Sequence, residues 1–115
     1  MVDYSHALDQ IFRALADPTR RAMLTELKQG PRSISALASP HAMTLAGAAK
    51  HVKVLEAAGL VDREKSGREQ ICALKAAPLA EAEQWLSTYA AFWSDRLDAL
   101  ERAINTDEKE TPHER

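Results

Sequence analysis

The stretch from residue 44 to 75 constrains the fold of this 115-residue chain more than any other part of the sequence. Thr44 offers a side-chain oxygen that can cap the first turn of a helix, and Gly59 can take the left-handed conformation that ends one. After Gly59 the apolar residues recur at strand spacing on both sides of Lys-Ser-Gly-Arg at 65–68, a segment typical of a hairpin tip. This stretch therefore predicts one helix followed by a β-hairpin.

The segment before Thr44 predicts a shorter partner helix. Ser33 can cap it, Ile34 and Leu37 lie on one of its sides, and Pro40 ends it. A short helix, a turn of about four residues and a longer helix form the layout of a helix-turn-helix. With the hairpin behind it, the pattern predicts a winged helix-turn-helix, for which double-stranded DNA is the expected partner.

The helix after Thr44 has two different faces. One face is apolar and is expected to pack inward; it carries Leu45, Ala48, Ala49, Val52, Leu55 and Ala58. The other combines small residues, which let a helix approach base edges in the roughly 12 Å wide major groove, with cations for phosphates. The residues expected nearest the base edges are Thr44, Ala46, Gly47 and His51. Those expected at phosphates are Lys50 and Lys53, with Lys65 and Arg68 on the hairpin.

The distribution of charge supports this assignment although the whole chain carries a formal net charge of -2. Residues 28–55 contain Lys28 and Arg32 before the second helix of the motif, Lys50 and Lys53 within it, and no acid. Residues 80–115 contain nine acids and four bases. A basic DNA-contacting segment at 28–55 and an acidic segment at 80–115 would orient the molecule on DNA, although an ordinary solvated surface is the alternative.

The remaining segments predict a mainly α-helical domain around the small β-hairpin, with the element order ααααββα. Asp17 is predicted to cap the second of two N-terminal helices, with Pro18 at its first helical position, and a long helix is predicted over 78–105. Its broad apolar stripe predicts dimerisation through the terminal helices. The expected interface residues are Leu8, Ile11, Phe12, Leu79, Leu86, Tyr89, Trp93, Leu97 and Leu100. Residues 1–105 would form one winged helix-turn-helix domain, and 106–115 a disordered tail.

Composition limits the other functions that the chain could have. The single cysteine, Cys72, is expected to be a small core hydrophobe, with a redox-reactive thiol as the alternative. No apolar run approaches the length of about 18 residues that spans a bilayer, so a cytoplasmic protein without a membrane partner is expected. No nucleophile–histidine pair and no phosphate-binding glycine loop is visible, so the chain is not expected to be an enzyme or to hold a cofactor.

Three segments together resemble the ArsR/SmtB family of bacterial transcription repressors: LADPTRRAML, AAKHVKVLEAAGLV and GREQICAL. The resemblance covers roughly residues 5–104. It implies a homodimer that binds a palindromic operator and is released by an effector. It also implies a recognition helix over 44–58 that carries Thr44, Leu45, Ala46, Gly47, Lys50 and His51, and a wing over 61–74 that carries Lys65 and Arg68. Ser33, at the start of the preceding helix, joins the expected DNA-contacting residues.

The chain departs from the family in its metal-binding positions. Ser33 and Ser35 occupy the places of a Cys-x-Cys motif, and the predicted last helix contains no histidine, so no metal is expected. Ala49 replaces the usual serine before Lys-His. An effector, whether a small molecule or a protein, stays unidentified. The aromatic residues of the last helix could line a ligand pocket, although packing explains them more simply; they are Trp85, Tyr89, Phe92 and Trp93.

These observations favour a homodimeric, sequence-specific DNA-binding regulator, expected to be a repressor. The alternative is a protein-interaction module that keeps the winged-helix fold but has lost DNA binding, because a fold does not by itself determine a function. The acid-free segment 28–55 argues for the first.

Overall fold

The computed structural model describes the backbone of residues 3–110 and the side chains of residues 6–106. The elements in chain order are α1 (Asp3–Leu15), α2 (Pro18–Leu27), β1 (Arg32–Ser33), α3 (Ile34–Ala38), a 3-10 turn (Ser39–His41), α4 (Leu45–Ala57), β2 (Val61–Ser66), β3 (Glu69–Leu74), α5 (Ala77–Ser87) and α6 (Ala90–Glu110). The prediction of a mainly α-helical winged helix-turn-helix is confirmed. The structure adds the short strand β1 and divides the predicted last helix into two.

Side-chain caps fix where the helices of the motif begin. The Thr44 Oγ1 accepts a hydrogen bond from the Gly47 backbone N–H at 3.0 Å, and the Ser33 Oγ accepts one from Ala36 at 3.1 Å. Asp17 does the same for α2, because its Oδ2 accepts from the Arg20 N–H at 3.0 Å. Each cap satisfies a backbone donor that has no partner within its own helix.

The end of α4 is closed by a Schellman motif. The Leu60 N–H donates to the Leu55 carbonyl and the Gly59 N–H to the Glu56 carbonyl, both at 2.9 Å. Gly59 has a φ of +77°, a left-handed conformation that side chains with a Cβ rarely adopt. The predicted stop at Gly59 is confirmed, and it directs the chain from α4 straight into the wing.

The wing is part of a three-stranded antiparallel sheet in the order β1-β3-β2. Ser66 pairs with Glu69, which leaves Gly67 and Arg68 as a two-residue loop at the tip. Gly67 has a φ of +64°, as the first position of a type II′ hairpin turn requires. On the other side of β3, Arg32 pairs with Cys72, so β1 ties the start of α3 to the base of the wing.

The core around the helix-turn-helix comes from the apolar faces of the helices and the base of the sheet. Its fully buried members are Ala14, Met23, Leu37, Ala48, Val52, Leu55, Leu60 and Cys72. The prediction that Cys72 is a core hydrophobe is confirmed, and burial raises the pKa of its thiol. Leu45 was expected to pack inward and does not. It stands at the first helical position of α4, and its side chain is 57% exposed.

The predicted helix over 78–105 is interrupted between α5 and α6. The Ser87 hydroxyl donates to the Gln84 carbonyl and the Thr88 hydroxyl to the Trp85 carbonyl, both at 2.7 Å. Hydroxyl side chains that bond to nearby carbonyls in this way compete with the helical backbone. The helix therefore pauses at residues 88 and 89 and resumes as α6, which runs to Glu110 and not to 105. Of the predicted tail 106–115, residues 111–115 lie outside the described residues.

The chain divides after Ala82 into two compact units. The first holds the winged helix-turn-helix and its core. The second contains a row of large apolar side chains that are 44–60% exposed: Trp85, Leu86, Tyr89, Phe92, Trp93, Leu97, Leu100 and Ile104. Within the part of the chain that the structure describes, no helix is both long and apolar enough to span a bilayer.

Candidate nucleic-acid interface

The outward face of α4 combines exposed small and cationic residues, as predicted. Ala46, Lys50 and Lys53 are exposed, whereas Val52 and Leu55 on the opposite side are fully buried. Neither lysine forms an ion pair with any carboxylate among the described side chains. Their charges are therefore available to an external anion such as a phosphate group.

One side of α4 faces the wing across a shallow recess of about 230 Å³. Its lining brings three of the predicted DNA-contacting residues together: Ser33 at the start of α3, Leu45 at the start of α4 and Arg68 at the wing tip. Lys65 is exposed on β2 but does not line the recess. The helix-turn-helix and the wing thus present a continuous surface that contains both an exposed leucine and a cation.

The other side of α4 is fixed to the N-terminal helices by Arg20. Its Nη1 lies 3.2 Å from the Nδ1 of His51, which is half-buried on α4. Its Nε donates to the Ala14 carbonyl and its Nη2 to the Arg13 carbonyl, each at 2.9 Å. Because a guanidinium can only donate, the His51 Nδ1 must accept, and the remaining ring proton is on Nε2. Arg20 therefore sets the tautomer and position of a predicted DNA-facing histidine.

Arg20 also lowers the pKa of Asp17. The backbone hydrogen bond from Arg20 to its carboxylate is the main cause, and the nearby positive charge of Arg20 acts in the same direction. Asp17 thus stays ionised as the cap of α2 and holds Arg20 at the start of that helix. The sequence identified Asp17 as a cap but gave no sign of the link to His51, which is 31 residues away from Arg20.

An ion pair joins the wing to the recognition helix. The Arg63 Nη2 on β2 lies 2.7 Å from the Glu56 Oε1 near the end of α4. A second, longer pair, Lys75 Nζ to Asp62 Oδ2 at 3.6 Å, lies at the base of the hairpin and is more exposed. Sequence reasoning identified neither pair. The Arg63–Glu56 pair restrains the wing relative to α4. Neither pair involves Arg68, the cation at the wing tip.

Two basic residues within the segment 28–55, Arg32 and His41, have structural roles instead of facing outward. Arg32 donates to the Glu26 carbonyl at 3.4 Å and to the Gln29 Oε1 at 3.2 Å. His41 lies 3.2 Å from the Glu26 carboxylate. The exposed cations of this segment are therefore Lys28, Lys50 and Lys53. In the described range 6–106, no three potential metal ligands of the His, Cys, Asp or Glu type come together.

The predicted dimer residues fall into two groups. The five in the second unit, Leu86, Tyr89, Trp93, Leu97 and Leu100, are exposed. Of the four in the first unit, Ile11 is only 1% exposed and Leu79 packs against the core cluster, so these two serve the fold of the single chain. Leu8 and Phe12 are half-buried. Helical spacing alone could not distinguish core positions from surface positions on the same stripe.

A capped helix with an exposed basic face, a short helix before it and a β-hairpin beside it together define a winged helix-turn-helix DNA-binding regulator. Comparison with known proteins agrees. A family model described as a helix-turn-helix domain matches residues 15–64. The HTH-type transcriptional regulator Rv2034 of Mycobacterium tuberculosis is 30% identical over 103 residues, which are 90% of this chain and 94% of that protein.

A solved structure is similar over a comparable length. The crystal structure of an ArsR family transcriptional regulator superposes with a TM-score of 0.74 at 41% identity, covering 82% of this chain and 97% of that one. The HTH-type transcriptional repressor SmtB of Mycobacterium tuberculosis is 36% identical over 63 residues, 55% of this chain and 47% of that protein. The chain belongs to the ArsR family of transcriptional regulators. This membership confirms the predicted family and the prediction that the chain is a regulator and not an enzyme.

Proposed function

We propose that the protein is a homodimeric repressor that binds a palindromic operator with α4 in the major groove and the wing beside it. The exposed face of α4 is the observation that carries the proposal. There Lys50 and Lys53 have no carboxylate partner among the described side chains, and Ala46 leaves room for a close approach to base edges.

Individual contacts follow from the chemistry of each side chain. The Thr44 hydroxyl accepts from Gly47 and can still donate its proton to a phosphate oxygen. The Ser33 hydroxyl is in the same position at α3. The exposed Leu45 supplies an apolar surface suited to a thymine methyl group, and the His51 Nε2–H is a donor for a base edge or a phosphate. Lys65 and Arg68 would contact the backbone beside the groove.

The exposed apolar row of the second unit supports the homodimer. Within α6 the exposed side chains of Trp93, Leu97, Leu100 and Ile104 recur at intervals of three and four residues, the spacing of a helix face that packs against a partner. A second copy of the same row is the simplest cover for it. A two-fold dimer would place its recognition helices in successive major grooves, about 34 Å apart, and so match a palindrome.

The similarity to the repressor SmtB supports repression as the direction of control. A dimer seated on an operator would act by excluding other proteins from that DNA. Because the target is the bacterial chromosome, the protein would work in the cytoplasm.

Selection of duplexes from a random DNA pool, followed by salt titrations of the selected sequence, tests the proposal. We expect one palindromic consensus. Lys50→Gln should reduce the slope of log K against log salt by about 0.9 per lost phosphate contact, or about 1.8 for a dimer. Affinity for all duplexes should fall together, because a phosphate contact carries no sequence information.

Lys75→Gln is the matched control. It removes the same charge, but Lys75 is already paired with Asp62. Its slope should equal that of the original protein. Equal slopes for both variants would refute the assignment of Lys50. Failure to select any consensus would favour a winged-helix interaction module that no longer binds DNA.

A further inference from the structure

A second recess lies on the side of α4 away from the wing, between α4 and α1. Its volume is about 440 Å³, within the range of small-molecule sites. Gln10 and Arg13 line it from α1. From α4 it is lined by Lys50, Lys53, Val54 and Ala57, which are spaced three and four residues apart and so share one helix face. We call it the α1–α4 groove.

The groove is lined by both cationic and apolar side chains. Arg13, Lys50 and Lys53 contribute three positive charges, and among the described residues no acidic side chain lines it. None of the three is paired with a carboxylate within residues 6–106. Val54, which also packs against the core, and Ala57 supply an apolar surface between them. Cations and methyl groups side by side in one groove are complementary to a molecule that has an anionic head and an apolar body.

We infer that the α1–α4 groove binds a small amphipathic organic anion, such as a carboxylate with a short aliphatic or aromatic body. An inorganic anion could pair with the cations but would leave the apolar side chains of Val54 and Ala57 in contact with water. A neutral apolar molecule would leave the three cations without a partner. Gln10 and Arg13 point mainly away from the predicted dimer positions of α1, Leu8 and Phe12.

Such a ligand would oppose DNA binding, an effect that rests on the proposed function. Lys50 and Lys53 line the groove and are also the cations assigned to phosphates. A bound monoanion offsets one of these charges and therefore removes about one phosphate contact per protomer. At about 0.15 M salt each contact is worth about fivefold in affinity, so saturation of both protomers should weaken operator binding by about thirtyfold.

Octanoate is the probe for the first experiment, in which backbone amide signals of the ¹⁵N-labelled full chain are followed without DNA. We expect saturable shifts centred on Val54 and Ala57, with inorganic phosphate at least about tenfold weaker. Ala57→Phe places a large side chain in the groove without changing a charge and should abolish the shifts by blocking the ligand. Arg13→Gln should weaken binding by about three- to fivefold, as expected for a partly exposed charge contact. Lys28→Gln removes an exposed charge outside the groove and should change nothing.

The outcomes separate the site from the proposed function. Absence of saturable shifts up to about 20 mM octanoate, or equal binding of phosphate, would overturn the site. Equal effects of the Arg13 and Lys28 substitutions would also overturn it, because the attraction would then be nonspecific. If octanoate binds but operator affinity is unchanged, the antagonism is refuted and the site stands. If no duplex is bound at all, the proposed function fails, while the amide shifts still decide whether the groove is a ligand site.

Discussion

Replacing Arg20 with alanine would test whether this side chain connects the N-terminal helices to the recognition helix. Arg20 makes three side-chain contacts: to the Arg13 and Ala14 carbonyls near the end of α1, and to His51 on α4. The two carbonyls belong to the last turn of α1, and the Arg13 carbonyl also accepts from the Ala16 N–H at 3.2 Å. Arg20→Ala would remove all three contacts at once and leave the charge of the neighbouring Arg21 in place.

The contacts allow the size of the effect to be worked out. A hydrogen bond from a charged donor contributes about 1.5–3 kcal/mol at most, and partial exposure here reduces that to about 1 kcal/mol or less for each contact. Three contacts then give a loss of about 2 kcal/mol. For a domain of this size that corresponds to a fall in Tm of roughly 8–16 °C. Arg21 makes one exposed contact, to the Leu15 carbonyl at 2.7 Å, so Arg21→Ala should cost only about 0.5 kcal/mol.

The assay is urea unfolding followed by circular dichroism at a fixed protein concentration, which would keep the contribution of the proposed dimerisation constant. A double-mutant cycle with His51→Ala should give a coupling of about 0.5–1 kcal/mol between positions 20 and 51. Equal losses for Arg20→Ala and Arg21→Ala would show that Arg20 is an ordinary surface charge. A coupling of zero would show that Arg20 and His51 do not interact in solution.

Three further properties can be tested by substitution. Ala42 has a φ of 51°, so Ala42→Gly should raise the free energy of unfolding by up to about 1 kcal/mol, whereas Gly59→Ala should lower it by at least about 1 kcal/mol. Changes of the same sign in urea unfolding would contradict this. Trp93→Glu places a charge in the exposed apolar row and should give a monomer by sedimentation, so an unchanged dimer would place the interface elsewhere. Asp17→Asn keeps a capping oxygen but cannot ionise. The pKa of Asp17 is lowered in the folded state. The original protein should therefore have the larger free energy of unfolding at neutral pH, and this difference should be lost as the pH falls through the lowered pKa. A difference that stayed constant to about pH 2 would refute this.

The sequence was most informative where the deciding interaction is local. Thr44, Ser33 and Asp17 were predicted as caps, and each accepts a hydrogen bond from the amide three residues later. Gly59 was predicted as a stop and has the required positive φ. Interactions within one turn depend on a few neighbouring residues, so the helix-turn-helix and the wing could be located before the tertiary fold was known.

Contacts between distant residues left no comparable signal. Arg20 and His51 are joined only because α2 and α4 pack together, and Glu26 approaches His41 across the turn of the motif. Helical periodicity placed Leu45 on the inward face, because it marks an apolar residue without showing whether protein or another molecule covers it; only the family resemblance placed Leu45 at the DNA-contacting surface. The break at Ser87 and Thr88 did have a signal, since two adjacent hydroxyl residues in a helix can bond back to the preceding carbonyls.

The α1–α4 groove and the proposed DNA-binding face share Lys50 and Lys53, so their two ligands are coupled, and thermodynamic linkage requires that this coupling be reciprocal. If octanoate weakens operator binding about thirtyfold, operator DNA must weaken octanoate binding by the same total factor across the dimer, because both routes end in the same ternary complex. Arg13 distinguishes the two sites, since it lines the groove but not the exposed face of α4. Arg13→Gln should therefore reduce the antagonism while leaving the salt slope of DNA binding nearly unchanged. A slope reduced as much as in Lys50→Gln would mean that the groove is an extension of the phosphate-binding surface and not a separate ligand site.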